Sequence, residues 1–194
     1  SETVLELYRE SEAIKKVPVF QAYNTLNELQ KYCLTFYKFQ DKYFNLSHLE
    51  LLGNLLIEHQ DDFADFDFQL LTNKYIQIIN FAYERYDYNQ YPYQSSKLLM
   101  ERILSLYKLL EKKELLTFRN RITHTSFLSI VSVSTYVGDF KWAHQFIIQY
   151  QNYLIDSFRY NTVLLSESYL NFHTKKYDKV IDYLDKFTSQ DESL

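Results

Sequence analysis

Val137-Gly-Asp-Phe-Lys-Trp-Ala-His-Gln-Phe-Ile147 is followed, 37 residues further on, by Thr174-Lys-Lys-Tyr-Asp-Lys-Val-Ile-Asp-Tyr-Leu184. Phe140 aligns with Tyr177, Ala143 with Val180 and Ile147 with Leu184 at that one offset. In each copy an aromatic residue opens a run in which a small or β-branched residue follows three positions later and an aliphatic one four after that. Three- and four-residue spacings place side chains on one face of an α-helix. Each copy also follows a helix-length stretch, residues 123–137 and 161–173. Helix, tight turn, aromatic, then a small residue describes a helical hairpin in which the small side chain lets two helices approach. Periods in the thirties are the signature of helical repeat arrays.

Upstream, the same three- and four-residue helical spacing recurs. Pro18 suits the first turn of a helix over residues 18–37, because the N–H it lacks has no helical acceptor there. Phe20, Tyr23, Leu26 and then Cys33 or Leu34 recur along one face of it. Ser47-His48-Leu49-Glu50 reads as a capping box opening a helix with Leu49, Leu52, Leu55 and Leu56 on one side. Gly53 inside that helix reads either as sequence drift or, more sharply, as a point of close approach by a neighbouring helix. Residues 60–67 form an acidic connector in which Asp65 or Asp67 caps the next helix, whose stripe is Phe68, Leu71, Tyr75, Ile78, Ile79 and Ala82. Residues 86–93 are the breaker segment, since Pro92 disfavours helix at Tyr91. A helix over 94–113 follows, with Leu99, Ile103, Leu106 and Leu110 inward and Lys112 and Lys113 near its C-terminal carbonyls. Val4, Leu5 and Tyr8 mark a short helix within residues 1–16. Alternation of period two is sustained nowhere, so no sheet is expected.

Composition agrees. The 194 residues contain two glycines and two prolines. A sandwich or barrel needs many turns with positive or fixed φ, and a doubly wound α/β domain needs glycine at its βα turns. Residues 1–97 hold nine basic and fourteen acidic residues, a net −5, and residues 98–194 twelve and eleven, a net +1. Neither half carries a nucleic-acid footprint. The lone cysteine, Cys33, excludes an intrachain disulfide and a Cys-based zinc site. No apolar run reaches the 18 or more residues of a membrane helix, the N-terminus is not signal-like, and the expected compartment is the cytoplasm. Met100 is the only methionine, so the chain is read as a piece of a longer protein.

Gly138-Asp139-Phe140-x-x-Ala143-x-x-x-Ile147 resembles the middle of a tetratricopeptide (TPR) repeat, and Lys176-Tyr177-x-x-Val180-x-x-x-Leu184 a degenerate one. The resemblance covers residues 123–187. It puts Phe127 and Leu164 at the usual Trp position, and Val131 and Ser168 where Gly or Ala is typical. Rich in Tyr, Phe, Asn, Ile and Lys, the whole chain is also similar to uncharacterised TPR-like helical proteins of Bacteroidetes. The resemblance implies an all-α fold over 1–194: antiparallel helical hairpins stacked as a TPR-like α-solenoid of seven or eight helices, with its clearest repeats at 124–160 and 161–194. It also implies a binding groove lined by the first helix of each hairpin: Leu128, Ser132, Thr135 and Tyr136 from one, Leu165, Tyr169, Phe172 and His173 from the next. Carboxylate-clamp TPRs carry Lys and Asn at two of these positions. Here Leu, Ser and Tyr stand there, which points to aromatic and apolar contact with a partner.

Other constellations are weaker. His59 with Asp61, Asp62, Asp65 and Asp67 has metal-ligand residue types, but a solvated helix end beside an acidic first turn explains it more simply. His124-x-Ser126 lacks triad geometry, because residues two apart point to different helix faces. Cys33 on an apolar stripe reads as a small buried hydrophobe. Glycines only at 53 and 138 allow neither a Walker loop nor a dinucleotide fingerprint. Arg119-Asn120-Arg121, with Lys112 and Lys113 nearby, is the best basic cluster and suits a phosphate or carboxylate, although a solvated loop is the simpler reading. Tyr83, Tyr86, Tyr88, Tyr91 and Tyr93 suit either an interface or hairpin packing. Asn45-Leu46-Ser47 is a formal glycosylation sequon, read only as a loop.

The expectation is a non-catalytic helical-repeat scaffold for a protein or peptide, with no cofactor or metal and no nucleic-acid contact or membrane insertion. The alternatives are an all-α regulatory or small-ligand-binding domain, such as the sensor part of a peptide-responsive transcription regulator, and then an all-α metal-dependent enzyme. Partner identity and oligomeric state are not encoded legibly.

Overall fold

The computed structural model describes residues 17–39, 46–85 and 93–187. These form eight α-helices and one 3₁₀ turn, with no strand among the described residues. The expected helix in 1–16 and the tyrosine-rich segment 86–92 lie outside them, as do the side chains of Cys33, Tyr83 and Tyr93. The chain divides into two compact units, one ending at Ser95 and the other beginning at Ser96.

The first unit contains α1 (Pro18–Phe39), α2 (Leu46–Glu58) and α3 (Asp65–Arg85), each packed on the other two. Its core is Leu49, Leu52, Leu55 and Leu56 from α2 and Phe68, Leu71, Tyr75 and Ile79 from α3, the stripes read from the sequence, with Ala22 and Leu26 from α1. The α1 stripe is a correction: Phe20 is exposed and Tyr23 half-buried, because Ala22 and Leu26, four apart, mark the face that α1 turns inward. Gly53 is buried within α2. Tyr23 donates to Asp67 Oδ1 at 2.6 Å, tying α1 to the first turn of α3. That bond, more than burial, pushes the Tyr23 phenol above its ordinary range. Two boundaries differ from the sequence reading. α2 starts at Leu46, so Ser47 lies inside its first turn rather than at the cap. α3 starts at Asp65, which puts Asp65 and Asp67 in the first helical turn, where carboxylates interact well with the helix dipole.

The second unit contains α4 (Tyr93–Lys112) from Ser96 onward, α5 (His124–Val137), α6 (Phe140–Tyr150), a 3₁₀ turn (Gln151–Tyr153), α7 (Asp156–His173) and α8 (Tyr177–Leu184). α5 packs against α6 and along α7, α6 also touches α7, and α7 carries α8. The 37-residue offset is realised in backbone hydrogen bonds. α5 ends at Gly138, with φ +94°, and Asp139 N–H donates to Ser134 O at 2.9 Å. α7 closes in the same way: Lys175 has φ +60°, and Lys176 N–H donates to Asn171 O at 2.8 Å. Both are the six-to-one closure that ends a helix on a left-handed residue.

α7 starts at Asp156, five residues before the expected 161, because the chain leaves α6 through the 3₁₀ turn and is held there by Arg159. Arg159 Nε donates to Gln151 O (3.1 Å), and its Nη2 donates to Leu154 O (3.2 Å) and pairs with Asp156 Oδ1 (2.6 Å). Ile122 N–H donates to Tyr153 O at 3.0 Å, so the segments entering α5 and α7 run side by side.

Candidate functional site

The elements carrying the candidate groove are set by caps and core. Thr123 accepts Ser126 N–H through its hydroxyl and starts α5, and Asp139 accepts Trp142 N–H and starts α6. Phe127, at the expected Trp position, is fully buried with its ring centroid 4.9 Å from that of Phe146. Leu164, Val131 and Ser168 are buried as well, and the Ser168 hydroxyl is satisfied by Leu164 O at 2.8 Å. Ala143 has no accessible surface, as the hairpin crossing requires.

α4 is joined to this pair by a polar network. Lys108 Nζ lies 2.6 Å from Asp139 Oδ2 and over the Trp142 ring, and Trp142 Nε1 donates to Glu111 Oε2 at 2.9 Å. The Lys108 ammonium holds the Asp139 carboxyl below its usual range. Burial, then the Glu111 charge, pushes the Tyr150 phenol up to about 12. Burial likewise raises the Tyr107 phenol, which pairs with Ser129 Oγ at 3.1 Å.

The eight groove positions divide. Ser132, Tyr169, Phe172 and His173 are exposed, and Leu128, Tyr136 and Leu165 are half-buried. Thr135 is a correction: it is buried, with its hydroxyl donating to Ser132 O at 2.9 Å, so it serves the helix rather than a partner. The structure does bring Phe172, His173 and Tyr177 together at the turn into α8. The Phe172 centroid is 5.7 Å from His173 and 5.9 Å from Tyr177, both edge-on.

Val180 is the second correction. It was expected at a buried crossing like Ala143, but it is only half-buried, and α8 contributes no buried residue. Tyr177, Ile181 (59 % accessible) and Leu184 instead form an exposed apolar stripe with i, i+4, i+7 spacing. The sequence held that signal, but periodicity cannot say whether a neighbour covers the face. Beside α7, Glu167 is mostly buried. His144 Nδ1 lies 3.8 Å from it, and its charge adds to the burial that raises the Tyr183 phenol.

The remaining candidates are dispersed. His59 Nδ1 pairs with Asp62 Oδ2 at 2.9 Å in the turn after α2, and no three His, Cys, Asp or Glu side chains converge among the described residues. No helix among the described residues is long and apolar enough to cross a membrane. Arg119 and Asn120 form the tip of a two-residue hairpin turn between Phe118 and Arg121. The chain is thus an all-α protein, with eight helices among its described residues. Compared with known proteins, it matches no protein-family profile, no curated protein and no solved structure.

Proposed function

We propose that this chain is a TPR-like helical-repeat scaffold without catalytic activity. It binds a protein or peptide in the cytoplasm, a reducing compartment in which the lone Cys33 stays a thiol. The observation that carries this reading is the set of large apolar side chains left accessible where α7 meets α8: Tyr169, Phe172, Tyr177, Ile181 and Leu184. Phe172 and Tyr177 touch across the turn, Tyr177, Ile181 and Leu184 recur at one-face spacing on α8, and Asp178, Asp182 and Asp185 are exposed among them, the make-up expected of an interaction patch. Rigid aromatic residues are the usual anchors of a small interface. The reading keeps Leu128, Ser132, Tyr136 and Leu165 as groove positions on α5 and α7, since each is at least partly accessible, and drops Thr135.

The test is site-specific photocrosslinking in extract of the native organism, with a benzophenone side chain placed at Phe172 and, as a control, at exposed Phe66 of the first unit. A discrete protein adduct at Phe172 alone is expected. The partner, once purified, should bind the double variant Tyr169→Ala, Phe172→Ala about 30-fold more weakly, equivalent to about 2 kcal/mol, with thermal unfolding unchanged. No adduct at Phe172, or equal adducts at both positions, would remove the reading.

A further inference from the structure

A cleft of about 780 Å³ lies at the opposite end of α5 and α7, between the 118–121 turn, the first turn of α5 and the start of α7. We propose that it binds a small amphiphilic anion, with an apolar body against Phe118, Ile155 and Phe158 and a carboxylate or phosphate head on Arg119 and Arg121. This goes beyond the protein-binding face on α7 and α8 and shares none of its residues.

Charge is the first argument. The ionisable groups lining the cleft are Arg119, Arg121 and His124, and no carboxylate lines it. Neither guanidinium has an ion-pair or hydrogen-bond partner among the described residues; Arg119 only lies over the Phe118 ring, 5.2 Å from its centroid. Arg159 a few residues away shows what a structural arginine looks like here, committed to carbonyls and to Asp156. The chain as a whole is acidic, at −4, so two free forks in one concavity run against its overall charge. Planar guanidinium groups match carboxylate and phosphate oxygens in paired hydrogen bonds.

Apolar surface is the second argument. Phe118 (67 % accessible), Ile155 and Phe158 are three large hydrophobic side chains exposed in one concavity. His124 stacks on Phe158 at 4.7 Å and 20°, which makes a flat wall. Small-ligand sites combine such walls with a few convergent polar groups in volumes of roughly 300–1,000 Å³.

Backbone is the third. Arg119 and Asn120 have φ of +51° and +56°, and Phe118 and Arg121 exchange reciprocal backbone hydrogen bonds of 2.9 and 3.0 Å. A two-residue turn with both centres at positive φ favours Asn-Gly or Gly. Arginine there is an uncommon and strained choice, and retained strain of this kind clusters at ligand sites.

The experiment titrates the full chain, followed by amide NMR, with octanoate, phenyl phosphate, their neutral counterparts octanol and phenol, and inorganic phosphate. At least one amphiphilic anion should bind with a Kd of about 1 mM or tighter, perturbing residues 118–125 and 155–158, and both its neutral counterpart and inorganic phosphate should bind at least about tenfold more weakly. Arg119→Ala with Arg121→Ala should weaken it about tenfold or more, while Lys179→Ala on α8 with Lys186→Ala just after it leaves it unchanged. All four side chains are exposed, so the variants should melt with the wild type. Which head group binds tighter separates an acyl carboxylate from a phosphate ester. The proposal is overturned if neither anion binds below about 10 mM, if inorganic phosphate binds equally well, or if the arginine variant binds like the wild type.

Discussion

The hairpins α5–α6 and α7–α8 close with the same backbone turn and end in opposite states. α6 buries Ala143, Phe146, Ile147 and Tyr150, whereas α8, built on the aligned residues, buries none. α6 touches α5 and α7 and is clasped from α4 through Lys108–Asp139 and Glu111–Trp142, whereas α8 packs on α7. One turn motif therefore yields a core helix or an amphipathic surface helix according to how many neighbours cover it. The aromatic positions of the second hairpin stay accessible for that reason.

The largest expected contrast is at the paired crossings. Ala143→Leu forces methyl groups against a closed surface and should cost about 1–3 kcal/mol. Val180→Leu, at the half-buried equivalent, should fall within about 0.5 kcal/mol of the wild type. Urea denaturation measures both, and equal effects would mean that the hairpins are equally covered.

The turns come next. Gly138→Ala should cost about 1–2 kcal/mol, because φ of +94° strains an L-residue even though no atom lies within 4 Å of the added Cβ. Lys175→Gly should stabilise by up to about 1 kcal/mol, since it relieves a left-handed lysine at the equivalent position. Opposite signs in thermal unfolding would confirm one motif with two occupants.

The smallest effect separates the helix starts. Asp139 has its pKa lowered by Lys108 in the folded state, so it adds stability above the unfolded carboxylate's pKa, and that contribution is lost as pH falls through the folded value. Asp139→Asn keeps an N-cap and removes the charge. Its deficit should be about 0.2–1 kcal/mol at pH 7, as for a partly exposed pair, and should vanish once the pH has fallen through the folded carboxyl's lowered value. A deficit that persists in acid would assign the effect to the cap. Lys176, where α8 starts, makes no side-chain cap bond, so its replacement has no such profile.

Much of the candidate site was legible. Tyr169, Phe172 and His173 were read as accessible and are exposed, Tyr136 with them only half so, and the basic pair at 119 and 121 was visible as a cluster. Thr135 was misread because a hydroxyl on a helix can satisfy itself on the preceding turn, here at Ser132 O, and so be buried without a partner. That Phe118, Ile155 and Phe158 would share a concavity with the arginines could not be read, since Ile155 lies 36 positions from Arg119 and meets it only through packing.

The sequence by itself determined what is local. Scarce glycine and proline with three- and four-residue spacing produced an all-α chain. Thr123, Gly138 and Asp139 set the ends of α5 and α6 through hydrogen bonds within a few residues. The recurrence at 37 residues foretold that a second helix would close on the same turn. Tertiary structure alone decided what is covered. Whether Ala143 or Val180 is sealed, whether Arg159 is spent on the backbone while Arg119 and Arg121 stay free, and where α7 begins all depend on which distant surfaces meet. Burial is a property of pairs of elements, and a one-dimensional pattern specifies a face without specifying what lies opposite it.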